Sequence, residues 1–102
     1  MPREKIHPGG MGRPRAEEIA LSALGWLVAN DELRDVFLGS TGLSPEELRQ
    51  RAGDEDLLVS VLEFVTMDDA WVLGWSRETG HPPEAAMTAH AVLAGTARTH
   101  WT

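Results

Sequence analysis

Thr41-Gly42-Leu43-Ser44-Pro45-Glu46 and, later in the chain, Thr79-Gly80-His81-Pro82-Pro83-Glu84 share one pattern, Thr-Gly-x-x-Pro-Glu. Each copy reads as the end of one helix and the start of the next. Glycine just past a helix can take the left-handed conformation that closes it. Proline three residues on suits the first turn of the following helix, where its missing N–H is not needed. The adjacent glutamate complements the positive helix start. The two copies predict two helix-Thr-Gly-helix hairpins with an apolar helix between them.

Outward from these turns, apolar spacing predicts helices throughout. Ile19, Ala20, Ala23, Leu24, Leu27 and Val28 recur at three and four over Arg15 to Ala29, with Glu17, Glu18 and Ser22 facing away. Asn30-Asp31 breaks that helix and caps a short one from Glu32 to Leu38, ending at Gly39. Ser44 with Glu47 forms a capping box for a third helix, Pro45 to about Ala52. Leu57, Leu58, Val61, Leu62 and Val65, widened by Val59 and Phe64, leave only Ser60 and Glu63 for solvent. A helix apolar on most sides is central, so the fourth helix, ending about Thr66, is placed at the middle of the core. Asp68 caps a fifth helix, Asp69 to Thr79, and a sixth runs from Pro83 to about Ala94, ending at Gly95. Nothing alternates as a strand would. The sequence therefore predicts a single all-α domain over residues 15–95, a compact bundle of five to six short helices. A flexible basic arm is expected at 1–14 and a C-terminal tail at 96–102.

Composition narrows the function classes. A chain of 102 residues can bury one modest core, and its four tryptophans supply much of the area. Without cysteine there is no disulfide framework, thiolate metal site or cysteine nucleophile, which fits a cytoplasmic protein. The apolar runs are too short to cross a bilayer, and the first ten residues carry no apolar stretch of the kind a secretory signal needs. Met11 offers a second natural start. Charge is divided: residues 1–15 hold four cations against one acid, a net of +3, and residues 16–102 hold five arginines against fifteen acids, a net of −10. Such a body repels nucleic-acid phosphates at long range.

Few residues invite chemistry. His7, His81, His90 and His100 show no metal-ligand spacing, and Asp54-Glu55-Asp56 and Asp68-Asp69 read as helix-start acids. No phosphate loop or nucleophile-base set is recognisable. Neither enzyme activity nor a cofactor or metal is expected. Trp71 and Trp75 lie one helical turn apart and share a face, either packed in the core or offered to a partner. Trp101, after a polar stretch, is either docked on the body or exposed. Gly42, Leu43, Ser44 and Leu48 match a helix-turn-helix motif, yet the would-be recognition helix opens with Pro45-Glu46-Glu47, putting carboxylates where phosphate contacts belong. Only Arg49 and Arg51 on that helix, with Arg34 nearby, could serve nucleic acid.

Asn30-Asp31-Glu32-Leu33, Val36-Phe37-Leu38, Thr41-Gly42, Glu47-Leu48-Arg49, Val61-Leu62-Glu63-Phe64 and Met67-Asp68-Asp69-Ala70-Trp71-Val72, taken together, resemble a family of short alphaproteobacterial proteins. The family is catalogued as a domain of unknown function (3572). The resemblance spans about Glu17 to Gly95, and the closing His100-Trp101-Thr102 is similar to its Rhodobacter-group members. It implies a small helical bacterial protein and transfers no activity, cofactor or site residue.

The expected function is a non-catalytic protein–protein interaction module in the cytoplasm, with Trp71, Trp75 and Trp101 as the possible surface. A monomer or weak homodimer with a protein partner is expected, and neither a membrane nor, by preference, nucleic acid. The alternative is a degenerate helix-turn-helix nucleic-acid-binding domain using Arg34, Arg49 and Arg51.

Overall fold

Local capping chemistry sets the element boundaries. A computed structural model describes residues 11–99, with side chains through residue 95. Helix α1 (Arg13–Ala29) starts two residues before the boundary expected at Arg15, with Pro14 in its first turn, where proline costs no hydrogen bond. It ends at Asn30, whose Oδ1 accepts from the Leu33 N–H at 3.2 Å and opens α2 (Asp31–Thr41). Helix α2 runs through Gly39, where the sequence predicted its end. A glycine in the left-handed conformation closes a helix, and here it is Gly42 that adopts it, at φ 78°, with its N–H on the Leu38 carbonyl.

The predicted capping box opens α3 (Pro45–Gln50): the Glu47 N–H donates to Ser44 Oγ at 3.1 Å, and the Ser44 N–H to Glu47 Oε1 at 2.9 Å. Asp54 precedes α4 (Glu55–Thr66), but its carboxylate binds Arg51 instead of capping the helix. Asp68 caps α5 (Asp69–Thr79) by accepting from the Ala70 N–H at 2.8 Å. Helix α6 (Glu84–Thr99) runs straight through Gly95, so the helical body extends beyond residue 95 into the stretch expected to be tail. The rest of the arm and the end of that tail lie outside the described residues.

The repeated turn is repeated atom by atom. Thr41 Oγ1 donates to the Phe37 carbonyl at 3.0 Å, and Thr79 Oγ1 to the Trp75 carbonyl at 2.7 Å. Each hydroxyl then accepts from the N–H two residues on, that of Leu43 or His81. Gly80, at φ 83°, matches Gly42, and the residue four before each threonine is a buried aromatic. The copies diverge at the next helix start, where Pro82 stands in place of Ser44 and no equivalent of the capping box can form.

Burial explains the layout. As expected, α4 is inside: Leu57, Leu58, Val61, Leu62, Phe64 and Val65 are all buried. It shares the centre with α1, however. Helices α1, α4 and α6 pack on one another as a three-helix core, with α1 against α6 the most extensive contact. The buried faces of both those helices are rich in alanine: Ala16, Ala20 and Ala23 on one, Ala85, Ala86 and Ala89 on the other. Small side chains on both sides let two helix axes approach closely. Helix α2 is held mainly by α1, and α5 by α1 and α4, rather than by the helix across their Thr-Gly turn, so each turn redirects the chain over the core.

Candidate functional site

That redirection leaves a groove. Where α2 turns into α3 above α1, a concavity of about 520 Å³ remains, open to solvent. Its α1 side consists of Leu21, Leu24, Gly25 and Val28, and α3 contributes Pro45 and Leu48. Leu21 is 47% exposed although it lies on a core helix. Gly25 has nothing within 4 Å of where a Cβ would project, so its missing side chain deepens the floor. Arg34 and Asp35 come in from α2 and Arg49 from α3, completing an apolar trough with charges along it.

Two of the three arginines singled out in the sequence, Arg34 and Arg49, therefore line one groove. Arg34 is tied to its own helix, with Nη1 at 3.2 Å from Asp31 and Nε at 3.5 Å from Asp35. Arg49 has no ion-pair partner among the described residues. Arg51 lies outside the groove, its guanidinium on Asp54 through two hydrogen bonds of 3.1 and 3.2 Å. Helix α3, the would-be recognition helix, has only six residues, and Glu46 and Glu47 on it are exposed. Among the three arginines only Arg49 is left unneutralised, beside an apolar floor.

The tryptophans separate. Trp75 is 0% exposed, which corrects its placement on a possible interaction surface: its indole N–H donates to Ser22 Oγ at 2.8 Å and its ring stacks on His81. Trp71 is half-buried and stacks on Phe64, with centroids 4.8 Å apart, and Phe64 in turn meets Phe37 edge-on. This aromatic row joins α5, α4 and α2. Trp101 lies outside the described residues. Trp26, not singled out in the sequence, closes over Gly74, where a Cβ would come within 3.2 Å of its ring. Its one sequence signal was Gly74 between two tryptophans, which marks a close approach.

Other titratable groups converge little. His90 Nε2 lies 3.4 Å from Glu63 Oε2 at the surface. Among the described residues no group of three or more His, Cys, Asp or Glu could hold a metal ion, and no helix is long and apolar enough to cross a membrane.

The fold and the groove define a small all-α domain with a solvent-open apolar trough. The family model described as "Protein of unknown function (DUF3572)" matches residues 13–96, and the chain belongs to that family, as the sequence resemblance implied. No curated protein and no solved structure matches it.

Proposed function

We infer that this bacterial domain is a non-catalytic protein–protein interaction module, and that a protein partner seats in the α1–α2–α3 groove. The observation that carries this reading is the trough itself, about 520 Å³ with Leu21 half-exposed in it and Arg49 unpaired at its edge. Concave apolar surfaces with a few polar groups at the rim are where amphipathic segments dock. The lining holds no hydroxyl, thiol or imidazole, which favours binding over catalysis without a cofactor. The cysteine-free composition favours the cytoplasm, and the free protein is a monomer or weak homodimer. The helix-turn-helix alternative is disfavoured by Glu46 and Glu47 on α3 and by the pairing of Arg34 and Arg51 with acids.

Affinity capture from the native bacterium tests this, with the wild-type chain, Leu21→Asp and Arg49→Glu as baits. The expected result is a protein recovered by the wild type and lost with both variants, each still helical by circular dichroism. Identical captures from all three baits would remove the groove from the reading. Recovery of nucleic acid that depends on Arg49 would promote the alternative.

A further inference from the structure

A second concavity lies away from the groove, on other helices. About 390 Å³ opens between the end of α4, the first turns of α5 and the start of α6, lined by Val72, Leu73, Pro83 and Met87. Asp69 and Glu84 stand in its wall with Thr66, and no cation lines it. Leu73 is 49% exposed and Met87 68%, and Met67, beside Thr66 in the chain, is 75% exposed. These are three of the five large hydrophobic side chains exposed among the described residues. Clustered apolar exposure marks an interaction surface, and unbranched methionine adapts to varied partners.

Charge identifies the occupant. Six acids on or beside the other helices are answered within the chain: Glu17 and Glu55 by Arg13, Glu18 by Arg15, Asp31 and Asp35 by Arg34, Asp54 by Arg51. Glu32, Glu46, Glu47 and Asp56 neither line this cleft nor form an ion pair among the described residues. Asp69 and Glu84 have no ion-pair partner among the described residues. Arg77, two turns along α5 from Asp69, does not line the cleft. The positive starts of α5 and α6 offset part of the two carboxylates' charge. The rest adds to a body of net −10 over residues 16–102, which attracts cationic partners at long range and leaves these two carboxylates to pair with them locally.

We propose that the α4–α5–α6 cleft docks a basic amphipathic helix of a protein partner. An apolar side chain enters between Leu73 and Met87, and lysine or arginine residues flanking it meet Asp69 and Glu84. The surface shares no residue with the α1–α2–α3 groove, so it stands whether or not the groove reading holds.

The probe is a fluorescently labelled amphipathic peptide of leucine and lysine, about 18 residues or five turns long, with a leucine–glutamate counterpart as control. Anisotropy is read with the full chain at about 0.15 M salt, where distant charges are screened. The lysine peptide binds and the glutamate peptide does not. Leu73→Ser with Met87→Ser, and separately Asp69→Asn with Glu84→Gln, each weaken binding about tenfold or more, while Val36→Ser, at an exposed position of α2 that lines neither concavity, leaves it unchanged. The carboxylate pair is isosteric and exposed, so it reports even if the apolar pair disturbs folding. No binding of the lysine peptide, or equal binding by all variants, overturns the proposal. So does a dimer in sedimentation velocity that Leu73→Ser abolishes, which would assign the cleft to a second copy of the chain.

Discussion

The indole N–H of Trp75 and the hydroxyl of Ser22 meet at 2.8 Å, joining α5 to α1 across 53 residues of sequence. The bond satisfies the one polar atom of a side chain that is otherwise wholly inside. It also fixes the depth at which α5 sits on α1, where Trp26 closes over Gly74.

Ser22→Ala leaves that indole N–H buried without an acceptor and is expected to cost about 1–3 kcal/mol. In Trp75→Phe the hydroxyl loses its role, so adding Ser22→Ala costs little more. Urea unfolding of the two single variants and the double variant gives the coupling directly. Costs that add to within about 0.3 kcal/mol would show that the bond contributes nothing.

Leu62→Ala is expected to cost about 2–5 kcal/mol, since the residue is fully buried on α4 and its loss opens a cavity in the three-helix core. A domain of this size has a total stability of only about 5–15 kcal/mol. Denaturant titration is the check, and a loss under about 1 kcal/mol would contradict the core position.

Two glycines three residues apart should respond in opposite directions. Gly39 lies within α2 with nothing near its absent Cβ, so Gly39→Ala is expected to stabilise by about 0.5–1 kcal/mol. Gly42 is left-handed at φ 78°, and Gly42→Ala is expected to destabilise by about 1–2 kcal/mol. Thermal melts of the two variants shifting in the same direction would mean that the helix ends elsewhere.

Sequence-specific binding to duplex DNA is not expected at physiological salt. Any binding by the whole chain should weaken steeply with salt and vanish when residues 1–10 are removed. The deletion stops there because Arg13 belongs to α1 and pairs with Glu17 and Glu55. Fluorescence anisotropy with duplex DNA measures this. Selective binding by the shortened chain would instead direct mutation to Arg49 and then Arg51.

What the amino-acid sequence determined by itself was everything governed by neighbours within about one helical turn. The Asn30, Ser44 and Asp68 caps and the left-handed Gly42 and Gly80 are local hydrogen-bond chemistry, and each is where its side chains dictate. The apolar stripe of α4 likewise announced its burial, since a helix has no other use for so many apolar positions. Boundaries failed at Gly39 and Gly95, which lie inside helices, because a glycine can hold helical dihedrals as well as left-handed ones and so does not by itself mark a helix end. Tertiary structure alone decided the rest. Periodicity shows which face of a helix is apolar but not which neighbour covers it. Ser22, read as a solvent position, receives Trp75, and α1 shares the centre of the core with α4. Likewise Arg34 and Arg49 come from different helices to one groove while Arg51, two residues from Arg49, does not. Directions of helix packing depend on side chains distant in the chain, and no stretch of sequence contains both halves of such a contact.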